Sequence, residues 1–531
     1  MPGERTGEQL SALLDGDAPF ALIDIREPME YNAAHIPGAS LIPRRRLEFE
    51  VSRSLPYKGV QVVLCDDNGR NAEREAATLV RGGYTDVSVL KGGVNRWAAD
   101  GRPTEWGVNV PSKTFGEEIE LEHEVPTISA DELHERIERG DKLIILDTRT
   151  PEEFQRLCIP GGRSVPGGEL ALRIADIRAE AGQDATVVVN CAGRTRSIIG
   201  TRLLQRMGVE DLYGLENGTA GWGLAGYELE ANADRTEMPE PSAEGASEAE
   251  RFARGVAAED GVQLIDVVKL RELMAEQDDK TLYLVDVRMQ DEFRAGNVPG
   301  SAWMPGGQAV QTADATAVVH NAPIVFICDG ITRAAIAASW YRQLGKNDVY
   351  ALDGGTTAWT NAGLDLVGDA AASESHGRTV LGLDAARSGN REIPANDLAS
   401  NSSRTVLFVG TSAEFAAGHV PGASWVSRGV LEGQAGAAIP GMNTPVAITC
   451  EDGGDSAALA AATLSEMGYR DVVWLKGGMD AWRSEGRSVE KGLTGVISAP
   501  LDVLPAGTNR SYGDMINYLR WETALVEQPE R

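Results

Sequence analysis

The clearest indication of the fold of this chain is the segment Ala185-Thr-Val-Val-Val-Asn-Cys191-Ala-Gly-Arg-Thr-Arg196-Ser. A short apolar run ends in a cysteine and leads into a helical pattern, in which Ile199, Leu203 and Leu204 lie on one face. This order is typical of a buried strand that delivers a thiol into a loop at the start of a helix.

The same arrangement occurs four times. Three further apolar runs end in a cysteine in the same way, at Cys65, Cys328 and Cys450. The intervals between successive cysteines have the size of compact domains of roughly 100–200 residues, far longer than a solenoid repeat. The 531 residues therefore predict four tandem domains.

Two further landmarks lie in register around each cysteine. Upstream, an Asp-x-Arg pattern precedes a turn of the type His35-Ile-Pro-Gly-Ala. Its acid position is held by Asp24, Asp147 and Asp286, with Phe408 in the fourth repeat. Downstream, a glycine pair or Asn-Gly precedes Trp97, Trp222, Trp359 and Trp482. Short strands alternating with amphipathic helices predict an α/β fold, with a parallel sheet flanked by helices on both faces in each domain.

Shifts in composition set the expected boundaries. We expect domains at 1–106, 125–230, 258–370 and 378–490, and a C-terminal tail at 491–531. The polar, acidic stretch that begins at Ala231 lacks periodicity and predicts a mobile tether. Residues 516–527 of the tail predict one amphipathic helix, which docks on the fourth domain or binds a partner.

The overall composition limits the partners. The formal net charge is −29, so neither nucleic acid nor an anionic membrane is expected to bind. Charges are screened over roughly 8 Å at physiological salt, so a small anionic substrate near loop arginines remains compatible with this charge. Five cysteines in 531 residues cannot form dense disulfide bridging, and no signal peptide or long apolar span is evident. A cytoplasmic protein with reduced thiols is expected.

The loop after Cys191 predicts the most reactive thiol. Free backbone N–H groups and the dipole of the following helix stabilise a thiolate at this position. Arg194 and Arg196 add positive charge and forked hydrogen-bond donors for an oxyanion, and the loop contains no carboxylate. We therefore expect the second domain to be catalytic.

The other three loops carry acid beside the sulfur. The loops after Cys65 and Cys328 keep an arginine five positions on, but place aspartates next to the thiol. Cys450 is followed by Glu451, Asp452 and Asp455 and by no arginine. Since carboxylates oppose thiolate formation, the fourth domain is expected to be structural and the first and third to be intermediate.

Together, the Asp-x-Arg pattern, the Pro-Gly turn, the strand-borne cysteine with its six-residue loop and the closing Gly-Gly with Trp resemble the rhodanese family of sulfurtransferases. The resemblance implies a central five-stranded parallel sheet in each domain. It also implies a ping-pong cycle, in which a cysteine takes sulfur from a donor such as thiosulfate, holds it as a persulfide and passes it to a thiol, a cyanide ion or a sulfur-acceptor protein.

Site residues follow from the same resemblance. Cys191 would be the nucleophile, with Cys65 and Cys328 as secondary candidates, and Arg194 and Arg196 would hold the oxyanion of the donor. The loop N–H groups that would cradle the persulfide belong to Ala192, Gly193, Arg194, Thr195, Arg196 and Ser197.

Two further positions are auxiliary candidates. Arg149 would brace the fold, and Cys158, which stands where the first domain has His35, would be a packing residue or a sulfur-accepting thiol. No cofactor or metal is expected, because no Cys/His grouping has the spacing of zinc ligands.

Three other functions remain open. Degenerate domains could form a non-catalytic scaffold or a sulfur-relay binding protein. A cysteine-dependent phosphatase or arsenate reductase would resemble Cys-x5-Arg, whereas only four residues separate Cys191 from Arg196. A 3-mercaptopyruvate sulfurtransferase is less favoured, because its family loops tend to be neutral and small.

Overall fold

The computed structural model describes residues 2–368, 380–401, 403–505 and 510–526. Each repeat forms its own parallel sheet of five strands, as predicted. In every sheet the strand that leads to the cysteine is central, between the last strand of the repeat and the strand of the Asp-x-Arg pattern. The buried side chains of Val187, Val188 and Val189 show why the central strand reads as a continuous apolar run.

The first two domains share this plan. The strands of domain 1 are Gly3–Arg5, Phe20–Asp24, Ser40–Leu41, Gln61–Cys65 and Asp86–Leu90. Its helices are Gly7–Leu14, Pro28–Ala33, the 3-10 turn Arg44–Arg46, Leu47–Ser54, Arg70–Arg81 and Gly93–Ala99. The strands of domain 2 are Thr127–Ile128, Leu143–Asp147, Arg163–Ser164, Thr186–Asn190 and Leu212–Leu215. Its helices are Val110–Glu122, Ala130–Arg139, Pro151–Arg156, the 3-10 turn Gly167–Glu169, Leu170–Ala181, Thr195–Arg206 and Gly218–Leu224.

Domains 3 and 4 have the same order of strands in the sheet as domains 1 and 2. The sheet strands of domain 3 are Gln263–Ile265, Tyr283–Asp286, Ala302–Trp303, Ile324–Ile327 and Val349–Leu352, and Val319–His320 is a further short strand outside that sheet. Its helices are Ala243–Glu259, Val267–Ala275, Gln290–Ala295, Gly306–Gln311, Ala313–Thr316, Thr332–Gln343 and Gly355–Asn361. The strands of domain 4 are Arg391–Ile393, Thr405–Phe408, Ser424–Trp425, Val446–Thr449 and Val472–Leu475. Its helices are Leu383–Gly389, Ala395–Ala399, Ser412–Ala417, the 3-10 turn Arg428–Val430, Leu431–Ala438, Asp455–Glu466 and Gly478–Ser484, and the tail forms a separate helix, Tyr512–Thr523.

The domains associate in two units. Domain 1 pairs with domain 4 in one unit, and domain 2 pairs with domain 3 in the other, which also contains the tail helix. None of the helices among the described residues is long and apolar enough to cross a bilayer.

The pairing of domains 1 and 4 depends on two reciprocal ion pairs. Arg44 binds Glu432 of domain 4, and Arg428 of domain 4 binds Glu48 at the equivalent place in domain 1. Burial alone would raise the pKa of Glu48, but the Arg428 guanidinium outweighs that effect and holds the pKa below its ordinary value. Arg44, Arg428 and Glu48 are buried and the side chain of Glu432 is only 10% exposed, so each charge depends on its partner.

Domains 2 and 3 meet differently. At the same position in the fold they place glycine against glycine, so that a Cβ added to Gly168 would lie 3.1 Å from the backbone nitrogen of Gly306. One buried ion pair crosses beside this contact, from Arg333 Nη1 of domain 3 to Glu169 Oε1 of domain 2, at 2.8 Å. Domains 2 and 3 are therefore joined by close backbone contact together with one buried ion pair, whereas two reciprocal ion pairs cross between domains 1 and 4.

Two predictions about the connecting segments are corrected. Residues 243–248, which the composition assigned to a mobile tether, belong to helix Ala243–Glu259, whose Ala249 and Ala253 are buried. The predicted tail helix is confirmed at Tyr512–Thr523, but its expected docking on domain 4 is wrong. It packs instead against helix Val110–Glu122 of the other unit, where Lys113 contacts the rings of Tyr518 and Trp521.

Candidate active site

The Cys191 loop connects the central strand of domain 2 to helix Thr195–Arg206. The thiol is 2% exposed, and its Sγ donates a hydrogen bond to Ser197 Oγ at 3.4 Å, in the first turn of that helix. The backbone carbonyls of Cys191 and Ala192 accept hydrogen bonds from the N–H groups of residues 219 and 220, at 2.9 and 3.1 Å. The loop is thus fixed on both sides, with the sulfur directed at the start of the helix.

One glycine of the Gly-Gly or Asn-Gly landmark is required by this geometry. Gly218 has φ +55°, and a Cβ at this position would lie 2.2 Å from the carbonyl oxygen of Cys191. Gly355 has the same relation to Cys328, at 2.1 Å. A side chain here would displace the cysteine loop, which explains why the landmark follows every cysteine.

Arg149 forms a rigid brace beneath the loop. Its Nε and Nη2 donate to the Asp147 carboxylate at 2.9 and 2.6 Å, and Nη2 also donates to the carbonyl of Leu157 at 2.6 Å. Asn190, the residue before the cysteine, donates through Nδ2 to Asp147 at 3.1 Å. The Asp-x-Arg pattern therefore ties two neighbouring strand ends together.

Arg196 is held by a carboxylate from another helix. Its Nη1 and Nη2 donate to Glu153 at 2.8 and 2.9 Å, and Glu153 also caps its own helix through the N–H of Thr150. Burial opposes ionisation of Glu153, but Arg196 outweighs it and lowers the pKa of this carboxyl to about 2. Burial would lower the pKa of Arg196, but Glu153 outweighs that effect and raises the pKa. A negative charge on Cys191 acts in the same direction as Glu153, because it favours the charged guanidinium. Arg196 is therefore preorganised near the sulfur.

The fold supplies carboxylates that the loop itself lacks. Arg194 Nε donates to Glu117 at 2.6 Å, and its Nη2 also binds Glu120, both from helix Val110–Glu122. The loop contains no carboxylate, but both of its arginines pair with carboxylates from other helices. Glu120 and Glu117 lie 74 and 77 residues from Arg194 in the chain, so the loop sequence gave no sign of them.

The tail helix also contacts the loop. Thr195 Oγ1 donates to Glu522 Oε1 at 3.1 Å, across 327 residues of sequence. A Cβ on Gly193 would lie 3.7 Å from Glu522 Oε2 and 4.0 Å from Cε1 of Tyr518. Sequence reasoning predicted the helix but assigned neither of these side chains to the site.

A buried lysine secures the tail helix. The Nζ of Lys113 lies 4.7 Å from the ring centre of Tyr518 and 4.9 Å from that of Trp521. Burial lowers the pKa of Lys113 to about 8, although the nearby carboxylate of Glu522 acts in the opposite direction. The contact therefore combines a desolvated cation with two aromatic rings and one acid.

The thiols of domains 1 and 3 lie in less favourable surroundings. Arg70, five positions after Cys65, has an exposed side chain, and burial together with Asp24 raises the pKa of Cys65. Arg333 is engaged by carboxylates from both domains of its unit. Burial raises the pKa of Cys328 to about 12 even though Arg333 opposes the shift.

Domain 4 and Cys158 complete the set of thiols. Cys450 Sγ donates to Asp452 Oδ1 at 2.8 Å, and burial with this carboxylate raises the pKa of the thiol. Cys158 is buried beside Phe154 and Ala233, and burial raises its pKa to about 11. All five cysteines are free. Within the described ranges no group of histidine, cysteine and acidic side chains is arranged to hold a metal ion.

We predict that iodoacetamide alkylates Cys191 before Cys328 and Cys450 in the folded protein near neutral pH. A thiol whose pKa is raised stays protonated there, and only the thiolate reacts. Peptide mass spectrometry at short reaction times measures the order. In urea the differences should disappear, because they come from the fold. Earlier labelling of Cys328 or Cys450 in the folded state would contradict the ranking.

The family is shown by a match along most of the chain. The rhodanese-like domain family matches residues 6–100, 129–225, 267–362 and 397–485. The protein therefore belongs to the rhodanese-like family, and the resemblance seen in the sequence is confirmed.

Individual relatives point in the same direction. The crystal structure of a thiosulfate sulfurtransferase from Pseudomonas aeruginosa is similar over 99% of this chain and 97% of that chain, with 34% identity and a TM-score of 0.88. The thiosulfate sulfurtransferase of Azotobacter vinelandii is 27% identical over 241 residues, which cover 38% of this chain and 87% of that protein. The probable adenylyltransferase/sulfurtransferase MoeZ of Mycobacterium tuberculosis is 36% identical over 99 residues, or 18% of this chain and 25% of that protein. These relatives support sulfurtransferase activity.

Proposed function

We propose that this chain transfers sulfane sulfur from thiosulfate or a similar donor to a thiol or cyanide, through a persulfide on Cys191. The observation that carries the proposal is the placement of this sulfur. The sulfur lies at the end of a strand and is hydrogen-bonded to Ser197 in the first turn of helix Thr195–Arg206. The ordered guanidinium of Arg196 lies nearby. The Cys450 thiol, by contrast, donates its hydrogen bond to the carboxylate of Asp452.

The chemistry divides into two displacements. In the first, the Cys191 thiolate attacks the outer sulfur of thiosulfate, the S–S bond of the donor breaks, and sulfite leaves with the electron pair. In the second, an acceptor thiolate or cyanide attacks the outer sulfur of the persulfide, and Cys191 leaves as a thiolate. Loop N–H groups between Ala192 and Ser197 at the helix N-terminus would stabilise the anionic sulfur in both steps.

The other cysteines and domains have supporting roles. Cys65 and Cys328 are secondary candidates, and domain 4 serves the association with domain 1 through Arg428. Arg149 positions the strand ends, and Cys158 fills the apolar space at the Pro-Gly turn. The partial similarity to a probable adenylyltransferase/sulfurtransferase supports a protein as one class of sulfur acceptor.

Mass spectrometry after thiosulfate treatment tests the proposal. We expect the peptide that contains Cys191 to gain the mass of one sulfur atom, and cyanide to remove it. The matched control is Cys158→Ser, which should load as the wild type does. A sulfur gain confined to Cys65 or Cys328, or none on any cysteine, would reject Cys191 as the carrier.

A further inference from the structure

The tail helix brings a buried acid to the candidate sulfur-transfer site. Glu522 is 1% exposed, and only its Oε1 is hydrogen-bonded, to the hydroxyl of Thr195. Its Oε2 has no hydrogen-bond partner among the described residues and faces Gly193 of the cysteine loop. An acid with one unsatisfied oxygen at this depth is costly to keep, so a functional reason for it is expected.

Glu522 also occupies a position suited to an anion. Thr195 is the first residue of helix Thr195–Arg206, and the N-terminus of a helix attracts negative charge. The proposed sulfur donor must approach the same end of this helix to reach Cys191. An anionic donor therefore meets a carboxylate at the helix N-terminus that would otherwise attract it.

The loop arginines cannot offset this effect freely. Arg194 is engaged by Glu117 and Glu120, and Arg196 is engaged by Glu153, so three carboxylates face these two guanidinium groups. Burial raises the pKa of the Glu522 carboxyl above its ordinary value, and the nearby Lys113 ammonium opposes this shift by favouring the charged form. The site thus lacks the excess positive charge that would select a dianion such as thiosulfate.

We infer that Glu522 is a specificity-determining residue that disfavours the dianion thiosulfate at Cys191 relative to sulfane-sulfur donors of lower charge, such as an alkyl persulfide. The inference rests on the proposed function. In the favoured reaction the Cys191 thiolate attacks the outer sulfur of the persulfide, the donor S–S bond breaks, and an alkyl thiolate leaves with the electron pair. The proton stays on the transferred sulfur, so atoms and charge balance.

The experiment compares two donors in three proteins. Stopped-flow measurement of the donor half-reaction gives kcat/KM for thiosulfate and for an alkyl persulfide without any other charged group in the wild type, Glu522→Gln and Asp514→Asn. Glutamine keeps the size of the side chain and still accepts the Thr195 hydrogen bond. Asp514 is an exposed acid on the same helix and controls for a general change in charge.

We expect Glu522→Gln to raise the ratio of thiosulfate to persulfide kcat/KM roughly fivefold or more, because removing a nearby negative charge helps the dianion more than a donor of lower charge. Asp514→Asn should leave the ratio unchanged. An unchanged or lowered ratio in Glu522→Gln would overturn the inference. An equal rise for both donors would also overturn it, since undocking of the helix rather than charge would be the cause.

Failure of the proposed function is recorded separately. Mass spectrometry reports whether Cys191 gains sulfur from either donor in each protein. If Cys191 loads but the donor ratio does not respond to Glu522→Gln, only the inference is lost. If neither donor loads Cys191 in the wild type, the proposed function and the inference both fail.

Discussion

Replacement of Cys191 by serine should lower thiosulfate-to-cyanide transfer by about 1,000-fold or more, whereas Cys450→Ser should leave it almost unchanged. A serine hydroxyl cannot form the persulfide. Cys450 already donates to Asp452, so its ionisation would place two negative charges side by side. Steady-state cyanide assays on the purified variants measure both effects.

Cys65→Ser and Cys328→Ser should have small effects between these limits. Each variant is first checked for native circular dichroism, since all of these thiols are buried in their domain cores. Activity that survives in Cys191→Ser and is lost in Cys328→Ser would move the working site to domain 3 and refute the assignment.

Replacement of Arg428 by methionine should destabilise the unit of domains 1 and 4 by about 3–5 kcal/mol, because it leaves the buried carboxylate of Glu48 without its partner. Hydrogen-exchange mass spectrometry measures the loss as a lower free energy of opening in peptides from residues 2–108 and 380–505. Peptides from the other unit provide an internal reference in the same sample.

Two variants control this result. Arg46 lies in a 3-10 turn at the same place in domain 1, but its side chain is 42% exposed and pairs with Glu50, so Arg46→Met should cost less than about 1 kcal/mol. The double variant Arg428→Met/Glu48→Leu should recover much of the loss, because it removes both buried charges. A cost for Arg428→Met no larger than that for Arg46→Met would show that the buried pair does not hold the domains together.

The sheets could be predicted because their signals are local. The apolar run before Cys191 and the glycine at Gly218 each report a constraint within one repeat, and four copies confirm each other. The brace from Arg149 to Asp147 spans only two residues. Periodicity and turn chemistry carry this information without knowledge of the tertiary structure.

The electrostatics of the site could not be predicted in the same way. The acids at Glu117 and Glu522 reach the Cys191 loop from helices that are distant in sequence, and their charged side chains look like ordinary solvent-exposed positions. An amphipathic pattern shows that a helix will dock but does not identify its partner. For the same reason the tail helix was assigned to the wrong domain.

The reciprocal ion pairs between domains 1 and 4 join segments that are synthesised far apart in time. Arg44 and its contact at Arg428 are 384 residues apart, so at roughly 5–20 residues per second domain 1 waits roughly 20–80 s on the ribosome for its partner. Domains 2 and 3 can meet during that interval. Until domain 4 emerges, domain 1 exposes Phe49, which later packs on the core of domain 4, beside Arg44 and Glu48, whose charges water can solvate.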